Sequence, residues 1–310
     1  MNNKPPSIIF MGTPEFSVPA MKAIHSKFGI KAVVTVPDKP QGRGNKIIPS
    51  PVKVSAMELG ITVYQPESLK NSDFITEISK SEPDIIIVIA FRILPKELYS
   101  LSKVGTFNIH ASLLPKFRGA APINWAIING EKKTGLTSFL LDMKVDTGRI
   151  LIQKEIDINE NMTAGELHDT MMSLAADLAV KTCELLLSGK FQTFEQDDSC
   201  VSPAPKIFPE TCKLDWNINV DSVINLINGL SPTPGAWTTL DGLKFKIIKA
   251  LKSEKIIGHP AEFEINKNNM IISCLNGSIL PIEVQLQGKK LMDIQGFING
   301  FRGERKGILN

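Results

Sequence analysis

The chain has 310 residues, 43% of them hydrophobic and 22% charged, with a formal net charge of +3. That length and balance suit a folded protein with one large core or two moderate ones, and exclude a fibrous or disordered chain. No run approaches the ~20 apolar residues of a bilayer-spanning helix, and the opening segment MNNKPPSIIFMG lacks the long apolar stretch of a secretory signal. Cys183, Cys200, Cys212 and Cys274 are scattered, with neither paired nor metal-ligand spacing. Reduced thiols, a cytoplasmic setting, no membrane and no metal are therefore expected. From Lys206 onward there are 13 Lys and Arg against 10 Asp and Glu, so the whole positive excess falls in the last third. That is a modest lean towards a polyanionic partner.

In chain order, Ser7 to Met11 reads as a buried strand ending in Gly12-Thr13-Pro14, with Thr13 capping and Pro14 opening a helix from Glu15 to Lys27. A second strand is expected over Ile30 to Val36. Asp38 to Pro51 is a loop dense in Pro and Gly, longer than a usual strand-to-helix connection and so a candidate functional loop. Helices over Lys53 to Leu59 and Ser72 to Lys80 follow. The unbroken run Ile85-Ile86-Ile87-Val88-Ile89-Ala90 then fits a central parallel strand buried on both faces. Further strands are predicted over Gly135 to Leu141 and Ile150 to Ile156, and a long helix over Ala164 to Leu187. Strands alternating with helices imply βαβ units, a doubly wound, mostly parallel, Rossmann-like sheet. Residues 189–207 read as a linker, which divides a domain of residues 1–188 from one of residues 208–310. In the second, a helix near Val220 to Asn228 precedes short alternating strands, the pattern of a small OB-like β-barrel.

The chemistry concentrates in TFNIHASLLPKFRGAAPINW, residues 106–125. In a strand, Asn108 and His110 point to one face. An amide donor beside a titratable imidazole stabilises one oxyanion and moves one proton. Taken alone, an Asn-x-His is better explained by a strand end that caps a turn; the unusual SLLP and RGAAP neighbours are what lower that reading. Asp146, in Val145-Asp146-Thr147-Gly148, reads alone as an Asx turn; beside His110 it becomes a carboxylate that favours the imidazolium. Ligands of parallel sheets lie beyond the carboxyl ends of the strands, where residues 90–94 and 108–114 both fall. Gly12-Thr13-Pro14 is not a G-x-G-x-x-G fingerprint, which argues against a nicotinamide cofactor.

With VDTG, the stretch NIHASLLPKFRGAAPINW resembles the folate-dependent formyltransferases. FMGTPEFSVP, TVPDKPQGRGNKIIPSPVK, APKI, LDW and LSPTPGAW narrow the resemblance to the branch that acts on methionyl-tRNA, along essentially the whole chain. The resemblance implies a catalytic trio of Asn108, His110 and Asp146. It also implies a 10-formyltetrahydrofolate donor without a metal, and initiator methionyl-tRNA as acceptor in translation initiation. Ser112, Leu113, Leu114 and Pro115 would line the tetrahydrofolate pocket, with Phe91, Arg92 and Ile93 on the opposite wall. Arg43 and Lys46 would enter the acceptor arm, and Lys206 and the barrel would hold the tRNA backbone. A monomer is expected. Phe91-Arg92 departs from the family's longer, Gly-containing wall, Lys144 stands where a Gly is common, and Asn228 where a basic residue is usual. A relative using another amine, or water, as acceptor would share the trio; Gly42-Arg43-Gly44 and LSPTPGAW favour tRNA.

Overall fold

A computed structural model describes residues 5–41 and 46–310 of the protein. β1 (Ile8–Gly12) is the strand the apolar run predicts, with all five residues buried. It leads through a 3-10 turn (Glu15–Ser17) into α1 (Val18–Phe28). The cap differs from the expectation. Pro19 rather than Pro14 occupies the first helical turn, and Thr13 Oγ1 is buried without a hydrogen-bond partner. Ser17 stands at the cap position, but its hydroxyl donates to the Ile89 carbonyl at 2.7 Å. A buried strand-end carbonyl needs a donor, and this demand outweighs local capping.

β2 (Ala32–Val34), the hairpin strands β3 (Lys39–Gln41) and β4 (Lys46–Ile48), α2 (Pro51–Glu58), β5 (Thr62–Tyr64), α3 (Ser72–Lys80) and β6 (Ile85–Ile89) follow. Ser50 and Asn71 cap α2 and α3, their side chains accepting from the Lys53 and Phe74 N–H groups. Next come α4 (Lys96–Tyr99), β7 (Gly105–His110), β8 (Arg118–Gly119), α5 (Pro122–Ile128), β9 (Lys133–Leu140), β10 (Ile150–Asp157) and α6 (Ala164–Leu187). Thr163 and Glu166 form a capping box at the start of α6. Thr163 N–H and Oγ1 both approach Glu166 Oε2, at 2.8 and 2.9 Å, and Glu166 N–H donates to Thr163 Oγ1 at 3.2 Å.

Contacts group the chain into two units, residues 1–119, 135–156 and 168–203, and residues 120–134, 157–167 and 204–310. The first is built on a seven-stranded sheet in the order β10-β9-β7-β6-β1-β2-β5. β5, β2, β1, β6 and β7 run parallel, and β9 is antiparallel to β7. The winding reverses between β1 and β6, the switch point at whose carboxyl ends such sheets bind ligands. Every residue of β6 is buried, as its branched apolar run requires. At about 1.5–3 kcal/mol per buried Ile or Val side chain, this strand is a principal source of the unit's stability. Residues 189–203, expected as linker, belong to this unit: Phe194 and Ile150 exchange backbone hydrogen bonds of 2.8 and 2.9 Å.

After β11 (Pro203–Ala204), the second unit adds α7 (Val220–Gly229), β12 (Ala236–Leu240), β13 (Leu243–Ser253), β14 (Glu262–Ile265), β15 (Met270–Cys274), β16 (Gly277–Leu286), β17 (Met292–Asp293), α8 (Ile294–Gly300) and β18 (Lys306–Ile308). Its sheet runs β12-β13-β16-β15-β14-β18. It curls until Thr239 of β12 exchanges backbone hydrogen bonds of 2.7 and 3.1 Å with Asn310. Trp216, Ile227, Phe245, Ile247, Ile272 and Phe297 fill the interior.

Candidate active site

β7 carries Asn108 and His110 on one face, as alternation along a strand requires. Its neighbours fix the register: Asn108 pairs with Val88 of β6 on one side and with Phe139 of β9 on the other, and His110 pairs with Thr137. His110 is 7% exposed. Its Nε2 lies 2.8 Å from the Phe117 carbonyl, an acceptor only, so Nε2 carries a proton and donates. That leaves Nδ1 facing Asp146, with Oδ2 at 3.8 Å. The separation is too long for a hydrogen bond, and it sets the carboxylate beside the imidazole in a nearly dry site. Asn108 is half-buried, and no other described residue hydrogen-bonds its amide.

Asp146 stands on the loop between β9 and β10 with φ +56°, unusual for a residue with a side chain. The Gly119 N–H donates to its Oδ2 at 3.0 Å. Gly148 lets this loop lie on its own strand, since a Cβ there would stand 1.6 Å from the Leu140 carbonyl oxygen. The left-handed turn therefore falls at Asp146, and Lys144 does not take it over. Three neighbours without an assigned role hold the loop and its surroundings. Gln196 donates from Nε2 to the Asp146 and Gly148 carbonyls at 2.9 Å each, and its Oε1 accepts from Arg118. Arg118 pairs with Asp198 at 3.0 Å. Arg118 belongs to the recognisable RGAAP run. Gln196 has no sequence signal, because a lone amide in a polar stretch looks like linker.

The proposed pocket residues divide by burial. Ser112 is fully buried, its Oγ donating to the Lys116 carbonyl at 2.6 Å while its own carbonyl accepts from Thr137 Oγ1 at 2.7 Å. Leu114 packs with Phe139 and Ile150, and its N–H donates to Thr137 Oγ1. These two build the turn, while Leu113 and Pro115 remain half-buried. At the carboxyl end of β6, Phe91 is half-buried and Ile93 is 77% exposed. The Arg92 guanidinium turns away to the Pro66 and Glu67 carbonyls, at 2.9 and 3.0 Å, and partial burial lowers its pKa. The main chain of residues 91–94 makes no hydrogen bond with other described residues. Arg43 lies outside the described residues, and Lys46 pairs with Gln41 in the hairpin. Lys206, in the second unit, is exposed, its ammonium 5.7 Å from the Phe208 ring centre. Asn228 is buried at the end of α7. Among the described residues, no three His, Cys, Asp or Glu side chains gather as a metal site would need, and no helix is long and apolar enough to cross a membrane.

The formyl transferase family model matches residues 7–182, and that of the formyl transferase C-terminal domain matches residues 206–302. The chain belongs to the formyl transferase family. It is 44% identical over 306 residues to the methionyl-tRNA formyltransferase of Clostridium novyi, covering 97% of this chain and 99% of that one. Over 309 residues it is 42% identical to the methionyl-tRNA formyltransferase of Chlorobium limicola, covering 96% and 97%. Among solved structures, the N-formyltransferase of Helicobacter canadensis, in complex with folinic acid and dTDP-3-aminofucose, superimposes with a TM-score of 0.67 at 21% identity. That match covers 89% of this chain and 98% of the other, and the likeness is one of fold. The family's sheet and curled C-terminal domain are thus the architecture described above.

Proposed function

We propose that this formyl transferase moves the formyl group of 10-formyltetrahydrofolate to the α-amine of initiator methionyl-tRNA, the step that prepares it for translation initiation. The observation that carries the reading is the Asn108, His110 and Asp146 constellation in a chain that matches methionyl-tRNA formyltransferases over nearly its whole length. The donor supplies an activated formyl carbon. At the β6 end, the unengaged main chain of residues 91–94 fits the donor and acceptor edge of a pteridine, and Phe91 and Ile93 supply apolar surface beside it.

The amine must be neutral to attack, which the ordinary α-amino pKa of about 7.7–8.0 allows at physiological pH. As its nitrogen bonds to the formyl carbon, the carbonyl oxygen becomes an oxyanion. Asn108 donates its free amide N–H to that oxygen, and protonated His110 adds the charge of Nδ1–H. Asp146 holds the imidazolium and accepts the amine proton through water. Among the described residues, Oδ2 takes the Gly119 N–H and Oδ1 is left for that proton. When the carbon–nitrogen bond to the donor breaks, His110 protonates the departing nitrogen. Arg43 and Lys46 in the inserted loop, with Lys206, contact the acceptor arm and backbone of the tRNA, where cations supply affinity independent of sequence.

The test is to follow formyl transfer to charged initiator tRNA, with charged elongator methionine tRNA beside it. Transfer to the initiator alone supports both chemistry and selectivity. Donor binding without transfer to either tRNA points to a different amine acceptor.

A further inference from the structure

We propose that residues 193–202 form a strap that positions the reacting side chains, Gln196 acting on Asp146 and Ser202 on His110. The inference rests on the catalytic roles proposed above for those two residues. Asp146 itself, and the carbonyl that orients the strand-borne His110 ring, both sit on left-handed backbone that needs outside support. Asp146 has φ +56° and Phe117, whose carbonyl receives the His110 Nε2–H, has φ +60°. Residues other than glycine stay in such conformations only where their surroundings over-determine them.

The strap supplies what is missing at both points. The Gln196 amide forks across the turn, donating one hydrogen to the Asp146 carbonyl and the other to that of Gly148. Its Oε1 accepts from Arg118 Nε at 3.0 Å and Nη2 at 2.7 Å. All its hydrogen-bonding capacity is engaged, so the amide has one orientation: turned over, it would set oxygen against two carbonyls and nitrogen against a guanidinium. Six residues on, Ser202 Oγ accepts from the Phe117 N–H at 2.9 Å and the Ser202 carbonyl accepts from the Arg118 N–H at 3.0 Å. The carbonyl that orients the imidazole is thereby fixed from the same segment. The strap itself is anchored along β10. Phe194 pairs with Ile150, and Arg149 reaches Thr193 Oγ1 and Glu195, each at 2.6 Å. Together with the Gly119 N–H on Asp146 Oδ2, this segment joins the two loops that set the 3.8 Å approach of Nδ1 to Oδ2.

The experiment uses the full chain with Gln196→Ala and Ser202→Ala, and the double variant Gln196→Ala with Asp146→Asn. Gln196→Ala is expected to lower kcat about ten-fold or more, the scale of a small misplacement of a reacting group. KM for both substrates should stay within about three-fold. Ser202→Ala should show a smaller fall of the same kind. On the Asp146→Asn background Gln196→Ala should cost nothing further, because it acts through Asp146. Amide hydrogen exchange over residues 141–149 should rise in Gln196→Ala and stay unchanged over β6. Should Gln196→Ala fail to fold, Arg118→Lys removes the two hydrogen bonds that orient the Gln196 amide and is put through the same cycle. Wild-type turnover in Gln196→Ala, a fall that adds in full to that of Asp146→Asn, or unchanged exchange over 141–149 overturns the proposal. A wild-type chain that transfers no formyl group overturns the proposed function instead, and the exchange experiment still decides whether the strap holds the loop.

Discussion

Two parts of one site are held in different ways. Asn108 and His110 stand on β7, between a fully buried parallel neighbour and an antiparallel one, so sheet register alone sets their relation. Asp146 stands on a loop whose shape depends on a left-handed residue, one glycine and side chains fifty residues away. A strand places its own residues by a rule with period two. A loop has no such rule, and must be placed by whatever lies against it.

The sharpest way to break this comparison is to remove the strand-borne groups. Asn108→Ala should lower kcat by about 10²–10³ as the oxyanion loses a donor, and His110→Ala by about 10²–10⁴. In both, tRNA affinity should stay within a few-fold by filter binding. Equal loss of binding and turnover would remove the role assignment.

Ile87→Ala, beside Phe107 in the sheet register, should cost about 2–5 kcal/mol in denaturant unfolding. Below the melting range its kcat should change little, since β7 keeps its register; a collapse of kcat would show that the strand is not the rigid half. Gly148→Ala should do the reverse. Its Cβ has no room against Leu140, so the loop must move and kcat should fall about 10²-fold with a smaller change in unfolding free energy.

The smallest effect concerns the α6 capping box, a control whose hydrogen bonds involve none of the candidate site residues. Hydrogen bonds from the Thr163 backbone, then from its hydroxyl, hold the Glu166 carboxyl below its usual pKa. A lowered pKa in the folded chain stabilises it above the unfolded value and loses that contribution as pH falls through the folded one. Glu166→Gln should therefore cost up to about 1 kcal/mol above about pH 5, with the difference shrinking on acidification, as read from paired melting curves. Turnover should not follow it.

What is legible in the sequence follows the same division. β6 can be read from five branched apolar residues, and the Asn108–His110 pair from its spacing, because burial and alternation are local. Thr13 reads as a cap and is not one, because a 3-10 turn delays α1 to Val18, and the hydroxyl of Ser17, then at the cap position, is taken by the Ile89 carbonyl 72 residues away. Gln196 is silent for the same reason: its partners are Arg118, Asp146 and Gly148, and nothing in FQTFEQDDSC announces them. Burial also separates Ser112 and Leu114, which shape the turn, from Leu113 and Pro115.

The proposed docking of the donor on the main chain of residues 91–94 has a consequence for inhibitors. An edge docked on peptide groups is read by atoms that every amino acid shares. Side-chain substitution there leaves most of the contact intact, so an antifolate that mimicked that edge would meet few escape routes by point mutation. An alanine scan would pass over this wall, and the changes that register would be those that delete an N–H or bend the chain, proline above all.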